Sequence, residues 1–298
     1  MNKTHESIPS SCVSERVSKK SLVIGVGALA ATSLLLAGCT PADQAKKAPI
    51  SITALDTVAG HSLPNVIAAA HIGTIEVLPA GATTNVAATA ERIVAGSSSW
   101  IVSAGHPVKG EPGHPINCNT AISHLISATG TAIPLAGAGT KYTPSEGVSS
   151  SDDVSVLRAK NSRTARNAFP AIPLASGTPD VGAIASTRCT TYKGGKFVSN
   201  STVAEYVAQH NKLAILIEPD TPNHTVPGNS GGPALNAAGQ QFGVVTGVTS
   251  RAETLSEINT QFDVNLTGSS HEYWVTQALV IDGGTLGSLA TNMACAFR

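Results

Sequence analysis

The segment Pro227-Gly228-Asn229-Ser230-Gly231-Gly232-Pro233-Ala234-Leu235 sets one hydroxyl among three glycines and two prolines. Glycine adopts backbone dihedrals that other residues avoid, and it lets another chain come close to the main chain. Two neighbouring N–H groups can then converge on a developing oxyanion while the hydroxyl stands ready to attack. A bare Gly-x-Ser-x-Gly is equally at home in a surface turn. A hydroxyl is also a weak nucleophile until a base takes its proton, so the reading depends on an imidazole elsewhere in the chain.

Ser99-Trp100-Ile101-Val102-Ser103-Ala104-Gly105-His106 supplies one, an apolar strand that runs into Ala-Gly-His. The base in turn needs a carboxylate to fix its tautomer and stabilise the imidazolium. Ser151-Asp152-Asp153-Val154-Ser155-Val156-Leu157 places two candidates directly before an alternating apolar strand. Taken singly, a His after a strand is an ordinary half-buried polar residue, and an Asp before one is an ordinary turn residue.

Together the three segments resemble the chymotrypsin-like (trypsin-fold) serine proteases, whose blocks read Ala-Ala-His or Ala-Gly-His, then Asp-Ile-Ala-Leu-Leu, then Gly-Asp-Ser-Gly-Gly-Pro in that chain order. Here they read Ala104-Gly105-His106, Asp153-Val154-Ser155-Val156-Leu157 and Gly228-Asn229-Ser230-Gly231-Gly232-Pro233, with gaps of 47 and 77 residues. The resemblance implies an all-β fold of two six-stranded antiparallel Greek-key barrels with the site between them. It implies Ser230 as nucleophile, His106 as general base and then acid, Asp153 as orienting carboxylate, and the N–H groups of Gly228 and Ser230 as the oxyanion hole. Asp152 is the rival for the third role, one position out of the family's register. The same resemblance makes Phe242–Val248 the strand that lines the primary specificity pocket, through Thr246, Gly247 and Val248. It sets Asn223, His224 and Thr225 near the pocket floor, although His224 also reads as a plain loop residue. That polarity speaks against a simple anionic pocket selecting Lys or Arg.

Two departures matter. Asn229 stands where trypsin and its relatives carry the Asp that pairs with a new α-amino group after zymogen cleavage, and an uncharged amide cannot form that ion pair. Arg92-Ile93-Val94-Ala95-Gly96 looks like an activation site, yet Ile93 lies only thirteen residues before His106, so it reads as an internal strand. Pro107 rather than Cys follows His106.

Outward from these blocks, short Val/Ile/Thr/Ala runs alternate with Gly, Pro, Ser and Asn, the texture of a sandwich or barrel. Expected strands are Ile72–Leu78, Trp100–Ala104, Val154–Leu157, Val181–Thr187, Leu213–Ile217, Phe242–Val248 and Phe262–Leu266. Helices are expected at Thr202–His210 and after Trp274. Residues 66–298 form the expected protease domain and residues 39–65 its tether.

Lys19 and Lys20 precede an apolar stretch from Leu22 to Ala37, the pattern of a secretory signal. Its ending, Leu36-Ala37-Gly38-Cys39, resembles the lipobox of bacterial lipoproteins. That implies removal of residues 1–38 and a lipid on Cys39, holding the protein outside the cytoplasm at a bacterial membrane. An uncleaved membrane anchor is the other reading of the same run.

The 298 residues carry 19 Lys+Arg and 19 Asp+Glu, 13% charged and 42% hydrophobic. Such a balance excludes a nucleic-acid binder working by bulk cationic attraction, and general disorder. Residues 39–298 keep 15 basic and 17 acidic side chains, a slightly acidic body. With Cys12 in the signal and Cys39 on lipid, Cys118, Cys189 and Cys295 remain for one disulfide in any of three pairings. No Cys/His cluster has zinc spacing, so neither metal nor organic cofactor is expected. The expected partners are protein or peptide substrates and the membrane, with the protein itself a monomer.

Two other functions compete. Gly228-x-Ser230-x-Gly232 also satisfies the nucleophile elbow of an α/β-hydrolase esterase, with Asp263 and His271 as later members. But Pro233, Asn236 and Gly239 interrupt the helix that such an elbow feeds. A catalytically silent protease-fold module for binding at the cell surface is the second. For the enzyme, activity is expected to fall as the imidazole protonates below about pH 6–7.

Overall fold

Short β-branched runs broken by Gly and Pro leave a chain no way to bury its apolar side chains except in sheets that close on themselves. The computed structural model describes residues 49–51, 69–77, 86–111, 114–115, 124–142, 152–193, 196–210, 212–218, 223–252, 255–268, 273–293 and 295–296. The leader, Cys39, Cys118 and His271 lie outside the described residues. The chain divides into two compact units, Met1–Lys46 and Lys47–Arg298, and the second holds everything described here.

The first barrel is built from β1 (Ile72–Val77), β2 (Val86–Ala95), β3 (Ser98–Ser103), β4 (His124–Ser127), β5 (Ala132–Lys141) and β6 (Val154–Ala159). The second uses β7 (Ile184–Lys193), β8 (Lys196–His210), β9 (Leu213–Glu218), β10 (Pro233–Asn236), β11 (Gln241–Ala252) and β12 (Tyr273–Val280). Around the first the order is β1-β2-β3-β6-β5-β4, and around the second it is β7-β8-β9-β12-β11-β10, so both repeat one antiparallel Greek-key path. The expected fold class is the observed one. Among the described residues four α-helices accompany the barrels: α1 (His106–Lys109), α2 (Ser162–Ala168), α3 (Leu255–Phe262) and α4 (Gly283–Thr291). Among the described residues no helix is long and apolar enough to cross a membrane.

Arg92–Ala95 ends β2, and Gly96, with φ +57°, turns the chain into β3. The activation-like motif is therefore half of a hairpin. Two expectations fail and a third is met only in part. Thr202–His210 belongs to the long strand β8, whose register shifts between Tyr206 and Ala208. Residues 204–208 are all buried, so this stretch lacks the in/out alternation that marks a half-exposed sheet. Phe262–Leu266 is no strand: Phe262 ends α3 and Asp263, at φ +52°, breaks the chain direction. After Trp274 the chain first completes β12. A helix forms only at Gly283, where the Asp282 carboxylate accepts the Thr285 N–H at 2.8 Å as an N-cap. Ile50–Ser51, read as tether, pairs in parallel with Leu266–Thr267.

Three apolar clusters hold the body together. Ile75, Leu125, Ile133, Leu135 and Leu157 fill the first barrel. The second is filled largely by alanines around an edge-to-face Tyr206–Phe242 pair with centroids 6.0 Å apart. Between them, Ile93, Val102, Val154 and Val156 of the first barrel meet Leu213, Val244 and Leu279 of the second. Each such side chain contributes about 1.5–3 kcal/mol on burial. A handful matches the roughly 5–15 kcal/mol that stabilises a whole domain, so the barrels should unfold together.

The barrel interface also has a polar strip. Glu91 on β2 is fully buried and accepts a hydrogen bond from Gln241 Nε2 on β11 at 2.5 Å. Burial pushes its carboxyl well above the ordinary 4.5, against the smaller opposing effect of the Gln241 bond. The fold thus binds this proton more tightly than the unfolded chain does. The resulting stabilisation is complete below the unfolded value and fades as pH rises through the folded one. Glu91→Gln removes the titrating group and keeps the acceptor, so its stability relative to wild type should rise between pH 5 and pH 8. Urea midpoints at the two pH values test this; a constant difference would contradict it.

Candidate active site

The strand register brings His106 and Asp153 together. β3 pairs with β6 at Ser103↔Ser155, and Ser155 Oγ donates to the Ala104 carbonyl at 2.6 Å. The residues flanking this pairing therefore meet. Asp153 Oδ1 accepts the N–H groups of Gly105 and His106 at 2.7 and 2.8 Å, and its Oδ2 lies 2.8 Å from His106 Nδ1. Asp153 is fully buried and His106 is only 7% exposed. Gly105 is required between them, because a Cβ there would stand 2.7 Å from Tyr142 Cβ and 3.1 Å from Asp153 Oδ1. Asp152 instead pairs at the surface with Lys141.

Ser230 sits in a turn clamped from both barrels. The Asn229 N–H donates to the Val226 carbonyl at 3.0 Å and the Gly232 N–H to the Asn229 carbonyl at 3.1 Å. From the second barrel, the Val245 carbonyl accepts the Gly231 N–H at 2.6 Å. From the first, the Thr89 N–H on β2 donates to the Ser230 carbonyl at 2.8 Å. Gly228 and Gly231 hold φ of +94° and +91°. At Gly231 a Cβ would also meet the Thr89 carbonyl oxygen at 2.1 Å, so neither conformation nor space admits another residue there. Gly228 and Ser230 both line the cleft, and among the described residues neither backbone N–H has a backbone acceptor.

Asn229 is fully buried, accepts the Val226 N–H through Oδ1 at 2.9 Å and directs Nδ2 to the Thr190 carbonyl at 3.4 Å. Thr190 is in turn locked to the first barrel: its N–H donates to Thr89 Oγ1 at 2.9 Å and its hydroxyl lies 2.7 Å from that of Thr74. Asn229 is thus bonded inside the chain to the backbone of Val226 and Thr190.

One cleft is lined by His106 and Ser230, by Thr225, Val226, Pro227 and Gly228 on one wall, and by Val245, Thr246, Gly247 and Val248 on the other. His224 does not line it. Its ring stacks on Trp274 at 3.9 Å and 10°. Thr225 turns its polar groups away from the cleft, giving its N–H and hydroxyl to Glu218 at 2.7 and 2.8 Å. Glu218 is fully buried, and burial raises its pKa despite those bonds. Glu218, Trp274 and the Thr89/Thr190 pair were not legible as site residues, since each stands in an ordinary strand. The closing Glu of the apolar run Leu213–Glu218 is the one signal that pointed to a buried acid.

Cys189 is a buried free thiol, its pKa raised by burial and by Glu218 and Glu91. Two of the three disulfide pairings are thereby excluded; the third needs Cys118. Gly232 packs on it, a Cβ there falling 2.5 Å from the Sγ. The nucleophile-elbow alternative fails on the fold, because Ser230 leads into strand β10 rather than a helix. Among the described residues no three His, Cys, Asp or Glu side chains group as a metal site would require.

Solved structures similar to this chain share its fold. The thermostable serine protease AL20 from an extremophilic microorganism matches with TM-score 0.50 and 14% identity, over 75% of this chain and 99% of that one. A Glu endopeptidase in complex with MPD matches with TM-score 0.50 and 13% identity, over 78% and 94%. Human heparin binding protein matches with TM-score 0.51 and 10% identity, over 80% and 98%. No curated protein matches the sequence. The family model described as the trypsin-like peptidase domain matches residues 88–244, more than half of the chain and a span that includes His106, Asp153 and Ser230. On that match and the twin Greek-key barrels, the chain belongs to the trypsin-like peptidase family and is a serine endopeptidase.

Proposed function

We propose that the protein hydrolyses peptide bonds through Ser230, His106 and Asp153, outside the cytoplasm, held to a bacterial membrane by a lipid on Cys39 once residues 1–38 are removed. The observation that carries the catalytic part is the buried Asp153 carboxylate at 2.8 Å from His106 Nδ1. With Nδ1 so engaged, the ring offers Nε2 to the cleft it shares with Ser230. The anchoring rests on the leader pattern and the Leu-Ala-Gly-Cys ending.

In the first step Ser230 Oγ attacks the substrate carbonyl carbon while His106 Nε2 accepts the hydroxyl proton. Asp153 stabilises the imidazolium, and the N–H groups of Gly228 and Ser230 hold the oxyanion. Collapse expels the amine, which takes the proton from His106 and leaves an acyl-enzyme. Water, deprotonated by His106, then attacks the ester and frees Ser230. Cleavage of a diverse peptide library by the wild-type chain, absent from Ser230→Ala, tests the assignment. Equal cleavage by the variant would refute it.

Among the described residues, the cleft walls hold no Asp, Glu, Lys or Arg, and they present Val226, Val245 and Val248. Glu218 lies behind Thr225 with both oxygens bonded, and burial favours its neutral form. A charged side chain entering this cleft would lose hydration without gaining a counter-ion. Substrates with Ala, Val or Leu before the scissile bond should exceed Lys, Arg, Asp or Glu by about tenfold or more in kcat/KM. A matched peptide series checks it, and a preference for Arg or Glu would contradict the pocket reading.

A further inference from the structure

The outer face of the first barrel carries a second cleft that shares no residue with the one holding Ser230. Trp100 on β3, Leu157 on β6 and Met293 beyond α4 give it apolar walls. Three arginines line it from separate elements: Arg92 on β2, Arg158 on β6 and Arg166 on α2. No Asp or Glu is among its lining residues. In a chain of zero formal net charge, this is a local concentration of one sign rather than a general bias.

Arg92 is not a loose surface cation. Its Nε donates to Ser99 Oγ at 2.8 Å and its Nη1 to the Phe169 carbonyl at 3.2 Å. Both acceptors are neutral, so the guanidinium is held in place, and among the described residues no carboxylate pairs with it. Burial and the like charge of Arg166 both disfavour its protonated form. Cations gathered against an apolar wall gain when an anion joins them. A planar guanidinium grips a carboxylate through two parallel N–H···O bonds, and the indole face beside it suits an aliphatic or aromatic side chain.

We propose that this cleft is a second polypeptide-binding site, taking an acidic segment in which carboxylates flank an apolar side chain. A polypeptide is the fitting ligand class because the chain is an endopeptidase, so the choice of ligand rests on that reading. The site would hold part of a substrate away from the scissile bond. The test reads binding rather than turnover, which keeps its failure separate from any failure of the Ser230 assignment.

The full chain carrying Ser230→Ala is titrated into dye-labelled Asp-Leu-Asp-Phe-Asp and into Asn-Leu-Asn-Phe-Asn, with anisotropy as the readout. The acidic peptide should bind at least about tenfold more tightly, and rising salt should shrink the difference. Arg158 and Arg166 are exposed, so Arg158→Glu with Arg166→Glu should leave the melting temperature intact while abolishing the preference. In the Ser230 background the same pair should leave cleavage of a short neutral peptide unchanged. Equal binding of the two peptides, or a preference that survives the double substitution, overturns the proposal. So does binding of phosphatidylglycerol vesicles through these arginines without binding of the peptide, which assigns the face to a membrane.

Discussion

Alanine at His106 should lower kcat by about 10⁵–10⁶-fold, as much as loss of the nucleophile itself. Among the described residues lining the cleft, the imidazole is the one side chain beside Ser230 that can act as its base. Without it the Ser230 hydroxyl must attack unassisted. Residual turnover would come from the N–H groups of Gly228 and Ser230 and from substrate binding, which the substitution leaves in place. Stability should change little by comparison, because the side chain sits at the cleft wall and not in any of the three apolar clusters. Initial rates on a peptide that the wild type cleaves, with melting curves beside them, test both halves. Turnover near wild type would remove His106 from the mechanism.

The second large effect is expected at Asp153. One carboxylate here does two jobs: Oδ1 accepts two backbone N–H groups and Oδ2 faces His106 Nδ1. Asparagine can do only one. If its oxygen keeps the backbone bonds, its NH₂ points at Nδ1 and forces the proton onto Nε2, the atom that must accept the Ser230 proton. If it flips, two buried backbone donors lose their acceptor at about 1–3 kcal/mol each. Asp153→Asn should therefore reduce kcat by about 10⁴-fold even where the protein stays folded. Asp152→Asn is the control: it weakens a surface pair with Lys141, away from His106, and should stay within about twofold of wild type. The reverse order of severity would exchange the roles of the two residues.

The parts of this arrangement that were legible in the sequence are those whose chemistry allows few substitutes. Gly231 needs φ +91° and no Cβ, Gly105 must pass Tyr142, and His106 and Asp153 must flank one strand pair. Constraints of that kind leave fixed residue types at fixed spacing. β8 reads as a helix because Ala204, Glu205, Ala208 and Gln209 favour helices locally, while closure of the second barrel draws them into a strand whose residues 204–208 are buried on both faces. Phe262, Val264 and Leu266 alternate as a strand would, yet straddle the end of α3. There the Asn259 amide ties to both backbone groups of Leu266, at 2.6 and 3.0 Å. The seam that clamps the nucleophile turn, Thr74–Thr190–Asn229, joins positions 116 and 39 residues apart. Threonines in β-rich sequence carry no mark of such a role, and only the docking of one barrel on the other reveals it. Expectations for His224 fell short for a similar reason, since Trp274 captures its ring from a distant strand.

The central claim is that Ser230 is an activated nucleophile whose turn is already assembled, with Asn229 satisfied inside the chain and no cleaved N-terminus needed. Active-site labelling of the intact chain by a fluorophosphonate probe tests it most directly. The account predicts stoichiometric labelling that maps to Ser230, disappears in Ser230→Ala, and occurs without prior proteolysis. A correctly folded intact chain that takes up no label at Ser230, or does so only after cleavage of its N-terminal region, would contradict it.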